Sequence, residues 1–420
     1  MEATNLASIN TSTPEKPASA GFTNPLDVVL RLLGLVAMLY VFLVGIGIIG
    51  ESFKLIGGGS AGALFQAVSH PITGLMVGMI ATAILQSSST TTSIIVGMVA
   101  GGAIGVHGAI PMIMGANIGT SVTNTLVSMG HAGNREEFRR AFAGATIHDF
   151  FNILSVAVLL PLELTFGVLE KSSAWLTTRL LGAGGATLES PIEAMIKPAV
   201  AMFVSIDKAK IKGAAAGEAV QGSLLKGGVF QGTEMSDALV GTFLLVLAVA
   251  MTVISLLVIV KLMRTMLEAR ATQYLKRSLE FNPYASMAIG AGSTVMVQSS
   301  SITTSAMVPM VAVGLVSLEA VFPLTLGANV GTTVTALLAS MGSTGDGAAL
   351  GLQIALCHFL FNILGIAIWF PIPFMRNVPI WLARKLGDLV SQNRSIALVY
   401  IGVVFFGVPL LVLGVDKLIG

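Results

Sequence analysis

Two stretches of this chain are near-copies of each other. QSSSTTTSIIVGMVAGGAIGVHGAIPMIMGANIGTSVTNTLVSMG, from Gln86, aligns without a gap on QSSSITTSAMVPMVAVGLVSLEAVFPLTLGANVGTTVTALLASMG, from Gln298. The offset is 212 residues and roughly half the positions are identical. After a slip of two residues HDFFNIL at 148–154 matches HFLFNIL at 358–364, and the run 26–50 falls opposite 238–263. Any fold for this chain must therefore be assembled from two copies of one unit.

The unit belongs in a membrane. Apolar runs near the ~20 residues that span a bilayer recur at 26–50, 141–161, 238–263, 348–371 and 396–415. Charged residues make up 10% of the chain and hydrophobic ones 54%, against about 25% charged in soluble domains. The alternation of a β-barrel is absent, so the expected fold is an all-α polytopic membrane protein. A net charge of +2 without any basic block gives no reason to expect nucleic acid as a partner. The single cysteine, Cys357, excludes an intrachain disulfide and a multi-cysteine metal site.

Loop charge decides how the copies are oriented, because cytoplasmic loops carry an excess of Lys and Arg. Basic residues gather in NREEFRR (Arg135, Arg139, Arg140), in 264–277 (Arg264, Arg270, Lys276, Arg277) and in 376–394 (Arg376, Arg384, Lys385, Arg394). Two of their repeat-mates are poor in them, 342–347 with none and 51–60 with only Lys54, while the mate of 376–394, 163–236, carries both signs of charge over roughly seventy residues, beyond the length for which the rule holds. Equivalent loops thus fall on opposite sides, and the expected architecture is two inverted-topology repeats, a common plan of secondary transporters. The expected divisions are a disordered cytoplasmic tail (1–24), a first inverted repeat (25–162), an external linker (163–236), a second inverted repeat (237–375), and a cytoplasmic loop with a final transmembrane helix (376–420).

Eight consecutive amide and hydroxyl side chains interrupt an apolar run in each copy. Polar segments survive at membrane depth only when buried in protein or beside a cavity. Paired broken segments in equivalent positions of inverted halves point to a midplane binding site. A re-entrant helical hairpin with QSSS at its tip, plus one full crossing, satisfies the parity of crossings between 51–60 and NREEFRR. Hydroxyl and carbonyl oxygens suit Na⁺, while freed N–H groups attract anions. With no Arg or Lys in either cluster, an anion is held well only if Na⁺ arrives with it, and that dependence couples the two fluxes. GANIGTSVTN and GANVGTTVTA place Asn117, Thr120 and Thr123, and Asn329, Thr332 and Thr335, on one helix face each; polar helix–helix contact is the plainer reading of these motifs. Asp149 stands in the apolar ATIHDFFNIL, where carboxylates mark ion pathways, although an ion pair with Arg135 or Arg139 is an alternative. His148 and His358 occupy matched positions and read as hydrogen-bonded helical histidines.

The QSSS pair, GANIGTSVTN, GANVGTTVT and EFRRAFAGATIHDFFN (137–152) together resemble the type II sodium–phosphate cotransporters, over about 26 to 415. The resemblance implies sodium-driven uptake of inorganic phosphate by alternating access. Phosphate would meet Gln86, Ser87, Ser88, Gln298, Ser299 and Ser300. Sodium, the coupling ion, would be held among Asp149, Asn152, Ser299, Thr332 and Thr335, with Asn117, Asn329 and Thr123 in the same set. An Asp at the position of Asp149 goes with electrogenic transport in that family. Animal members carry Gln and Asp at the positions of His131 and Asn134, a cysteine pair in the external stretch and a further C-terminal helix, all absent here. A bacterial member in an inner membrane, with a cytoplasmic N-terminus, is the expectation.

Three other readings compete with this one. An ion channel would use polar re-entrant loops, but no TVGYG-like filter is present. An intramembrane hydrolase has only GGSAG at 58–62 in its favour, without strand–turn–helix context; no HExxH or Walker motif occurs, so no enzyme and no organic cofactor is expected. A sodium symporter of sulfate or arsenate has the same kind of hydroxyl pocket. The spacing of Gly97, Gly101 and Gly105 fits packing inside one chain or in a homodimer.

Overall fold

The computed structural model describes residues 25–57, 70–181, 191–207, 210, 222–278, 282–343 and 347–419. The 1–24 tail, GGSAG at 58–62 and the stretch 211–221 of the expected external linker lie outside the described residues. The architecture is all-α apart from a short antiparallel pairing of Ser205–Ile206 with Leu225–Gly227.

The first copy comprises α1 (Pro25–Gly57), α2 (Pro71–Leu85), α3 (Ser88–Ala100), α4 (Val106–Gly119), α5 (Val122–Ser128) and α6 (Arg135–Phe166). Helices α7 (Val168–Leu181) and α8 (Pro191–Phe203) follow. The second copy comprises α9 (Asp237–Ser278), α10 (Pro283–Val297), α11 (Ser300–Ser305), α12 (Val308–Ala312), α13 (Leu318–Met341) and α14 (Ala348–Trp369). The chain closes with α15 (Pro373–Gln392) and with α16 (Ser395–Gly402) and α17 (Val408–Ile419), joined through a π-helical turn at Val403–Gly407.

Among the described residues six helical segments are long and apolar enough to cross a membrane: Leu26–Ile56, Arg135–Phe166, Asp237–Leu262, Leu318–Met341, Ala348–Trp369 and Ser395–Leu418. Large apolar side chains such as Val36, Leu257 and Leu411 point outward, more than half exposed, as lipid-facing residues must. The segment Leu318–Met341 was not among the expected spans. Its asparagine and threonines dilute its apolarity, and it is the most buried of the six.

Three basic stretches expected as loops are helical. Arg135–Arg140 opens α6, 264–277 continues α9, and most of 376–394 lies in α15. Arg135–Arg140 stands at a helix start, and Arg384 and Lys385 stand on an exposed helix face, which loop-based reading does not separate from true loops. The linker 163–236 likewise contains the end of α6, all of α7 and α8, and the two strands.

The duplication is visible in the packing. Mates α1 and α9 lie against each other, with Gly45 beside Thr252. Mates α2 and α10 are each 15 residues long and begin at Pro71 and Pro283. Each packs on the GAN helix of its own half, α2 on α4 and α10 on α13. A Cβ on Gly115 would lie 1.9 Å from the Leu75 carbonyl oxygen, and one on Gly327 would lie 1.8 Å from that of Met287. The GAN glycine is therefore a backbone contact in both copies. Gly327→Ala is expected to force the helices apart and to destabilise the fold by about 1–3 kcal/mol or more, read as a lowered Tm in detergent. Gly292→Ala, with nothing within 4 Å of its added Cβ, should leave Tm unchanged or raise it slightly, since Ala is the better helix former. Gly97 and Gly101 pack within the chain, against Ile49 and Gly50 of α1.

Candidate substrate and ion sites

Each QSSS begins where a helix ends. Gln86 caps α2 with φ 53° and ψ 28°, and Gln298 caps α10 with φ 55° and ψ 26°. Among the described residues these are the only non-glycine positions with positive φ. A left-handed L-residue costs roughly 1–2 kcal/mol, and such strain gathers at functional sites. The next residue is extended in both copies: Ser87 at φ −154°, ψ 105° and Ser299 at φ −153°, ψ 112°. The chain thus reverses within two residues and starts a new helix.

Within the motif the side chains divide the work. Ser87 and Ser299 are N-caps, accepting from Thr90 N at 3.2 Å and Ile302 N at 3.3 Å. Gln86 Oε1 accepts from Thr123 Oγ1 at 2.9 Å, and Gln298 Oε1 accepts from Thr335 Oγ1 at 3.0 Å. The amide nitrogens turn back, Gln86 Nε2 to the Ala83 carbonyl and Gln298 Nε2 to the Val295 carbonyl. Both glutamines therefore tie the turn to the GTSVT or GTTVT segment of their own copy. Ser88 and Ser300 are buried, and no hydrogen bond engages either hydroxyl among the described residues. With Ser89 and Ser301, whose hydroxyls likewise make no hydrogen bond among the described residues, they are the uncommitted polar groups of the two turns.

A second polar cluster joins the copies. Asn152 donates from Nδ2 to the Asn117 carbonyl at 3.0 Å, and Asn329 Nδ2 donates to Asn152 Oδ1 at 3.1 Å. His148 Nε2 meets Asn329 Oδ1, while its Nδ1 lies 2.7 Å from Ser121 Oγ. Reciprocally, His358 Nε2 lies 3.3 Å from Asn117 Oδ1. The histidine of each copy thus reaches the GAN asparagine of the other. All of these residues are buried, where a satisfied network holds one geometry and a broken one is costly.

Asp149 is fully buried beside this cluster. Its Oδ2 accepts from Tyr400 Oη at 2.8 Å, and Oδ1 has no hydrogen-bond partner among the described residues. Arg135 and Arg139 do not pair with it; Arg139 is engaged by Glu136 and Asp388. Of the other sequence candidates, Thr332 donates to the carbonyl one turn back, Ala328. Asn134 caps α6, accepting from Glu136 N and Glu137 N.

Sequence reading missed two residues. Tyr400 lies in the final apolar run, and only a polar ring in that run marked it. Asn124 accepts from Thr304 Oγ1 at 3.0 Å and from Ser305 Oγ at 2.8 Å, tying the first copy to the second QSSS helix. Its repeat-mate is Ala336, and that inequality was the available signal.

The model of the Na⁺/Pi-cotransporter family matches residues 41–183 and 251–418. The chain is 37% identical over 450 residues to sodium-dependent phosphate transport protein 2B of Homo sapiens, covering 92% of this chain and 65% of that protein. It is 39% identical to the 2B protein of Bos taurus, with the same coverage. With the 2A protein of Mus musculus it shares 37% identity, over 98% of this chain and 72% of that one. The chain thus spans just under two thirds of the length of the 2B relatives. No solved structure matches it.

Proposed function

Since this chain belongs to the Na⁺/Pi-cotransporter family, we propose that it is a secondary active transporter that takes up inorganic phosphate with sodium by alternating access. The relatives bear names that specify sodium-dependent phosphate transport. The observation that carries the reading is the pair of QSSS turns, equal in backbone geometry and each holding a buried serine with an uncommitted hydroxyl, Ser88 and Ser300.

Helices α2, α3 and α10 have 13 to 15 residues, about 22 Å at most at 1.5 Å per residue, short of the ~30 Å hydrocarbon core. Two such helices meeting at a turn form a re-entrant hairpin, and the two hairpins approach the midplane from opposite sides in inverted repeats. Phosphate oxygens accept from Ser88 and Ser300 and from first-turn N–H groups of α3. Gln86 and Gln298 then act on phosphate through the shape of the turn, because their amides are held by Thr123, Thr335 and the preceding helix. Ser87 and Ser299 position the same turn as caps.

Sodium takes its charge balance from Asp149, whose free oxygen is joined by neighbouring oxygens of the Asn117–Asn152–Asn329 cluster and of Thr332. By holding a cation beyond those that balance the charge of the carried phosphate, this carboxylate makes the cycle electrogenic. The basic helix ends set the N-terminus in the cytoplasm, and a bacterial inner membrane is the proposed location.

Calorimetric titration of phosphate into the purified protein tests the reading. The component of binding that Ser88→Ala/Ser300→Ala removes is expected in sodium buffer and is expected to fall below detection in potassium. Equal binding in both would remove sodium coupling. Sulfate displacing phosphate at equal affinity would widen the substrate class to tetrahedral oxyanions.

A further inference from the structure

A cavity of about 310 Å³ lies where the start of α6 meets the turn between α12 and α13 and the face of α15. That volume is at the lower end of the range for ligand pockets. Its polar lining is Arg139, Arg140, Arg384 and Ser317, with Gly314 at the wall. No carboxylate lines it.

The three guanidinium groups have partners, and the partners leave capacity. Arg139 engages Glu136 at 2.7 Å and Asp388 at 3.2 Å, and Arg140 reaches the same Glu136 oxygen at 3.0 Å. Arg384 pairs with Glu319. One carboxylate therefore serves two arginines, and their side chains remain 37%, 41% and 51% exposed. Each guanidinium offers five N–H donors in a planar fork, the shape that matches phosphate oxygens.

Gly314 places the Arg140 fork at the wall. It has φ +75°, and a Cβ there would lie 2.5 Å from Arg140 Nη1. Its repeat-mate Gly102 has φ +73° and nothing within 4 Å of its Cβ position. The duplication thus explains the turn conformation, whereas the arginine contact exists in one copy only. Two of the arginines come from the first copy and the wall from the second, so the cavity is no part of the repeated machinery.

Helix α15 adds a membrane context. It buries Ile380, Ala383, Gly387 and Val390 while exposing Phe374, Trp381 and Leu389 next to Arg384 and Lys385. Aromatic and basic residues on one exposed face suit the bilayer interface.

We propose that this cavity binds a phosphate-type oxyanion, the head-group phosphate of an anionic lipid or inorganic phosphate, at a site separate from the two QSSS turns. The inference uses no residue of those turns and does not depend on transport.

The test uses the full chain in phosphatidylcholine nanodiscs in sodium-free potassium buffer. One arm measures equilibrium binding of inorganic phosphate. The other measures, by native mass spectrometry, retention of phosphatidylglycerol from doped nanodiscs. In at least one arm Arg140→Gln and Arg384→Gln are each expected to lower binding by about tenfold or more, as loss of a charged hydrogen-bond donor does. Glu319→Gln, which frees the Arg384 fork, is expected to raise it in the same arm, a gain that misfolding does not produce. Retention in the lipid arm alone identifies a head-group site, in the phosphate arm alone a free-anion site, and in both a site for either. Absence of binding in both arms, or arginine variants equal to wild type, would overturn the proposal. So would equal losses in Arg384→Gln and Glu319→Gln, the mark of a purely structural ion pair.

Discussion

Replacing Ser88 and Ser300 together by Ala is expected to abolish phosphate uptake while leaving stability within about 1 kcal/mol of wild type. Neither hydroxyl makes a hydrogen bond within the described protein, so folding loses little by their removal. Each donates to a phosphate oxygen in the proposed complex, and a hydrogen bond to a charged group contributes about 1.5–3 kcal/mol, roughly ten- to a hundredfold in affinity. The pair together accounts for a loss of about a hundredfold or more. Ser87→Ala and Ser299→Ala give the contrast. Both remove an N-cap, which costs about 1 kcal/mol of stability, so their Tm falls along with uptake. Uptake against phosphate concentration, run beside thermal unfolding, separates the two classes.

Asp149→Asn is expected to remove the voltage dependence of uptake. The amide still accepts from Tyr400, so the final helix stays docked, but the negative charge facing sodium is gone. One elementary charge fewer per cycle forgoes about 2.3 kcal/mol per 100 mV, about fiftyfold in attainable phosphate accumulation at that potential. Tyr400→Phe keeps the charge and loses the hydrogen bond to Oδ2. Its charge per phosphate should stay at the wild-type value while its sodium half-saturation rises severalfold. Charge movement and tracer flux recorded on the same proteoliposomes distinguish these outcomes. An Asp149→Asn protein with undiminished charge per phosphate would detach the carboxylate from coupling.

Much of this was readable before any coordinates. Apolar runs located five of the six long segments. They missed Leu318–Met341, where Asn329, Thr332, Thr333 and Thr335 lower apolarity in a helix that protein, and not lipid, surrounds. The repeated QSSS marked both turns, yet hydroxyl content alone could not divide its residues into a left-handed Gln, a capping Ser and an uncommitted Ser. That division follows from φ and ψ at Gln86 and Gln298. The basic stretches 264–277 and 376–394 read as loops in the sequence although most of their residues are helical, because a basic helix and a basic loop have the same composition. Contacts between the copies were out of reach as well. His148 meets Asn329 across 181 residues of chain and Tyr400 meets Asp149 across 251, separations that no local pattern encodes. The arginine cavity is of the same kind, assembled from α6, α15 and a turn of the other copy.

Uptake of radiolabelled phosphate into proteoliposomes tests the central claim most directly, with an inward sodium gradient and then with potassium in its place. Wild-type protein should accumulate phosphate with sodium and not with potassium, and Ser88→Ala/Ser300→Ala should stay at the potassium level in both. Equal uptake in the two salts, or undiminished sodium-driven uptake in the double variant, would contradict a sodium-coupled phosphate site built from the two QSSS turns.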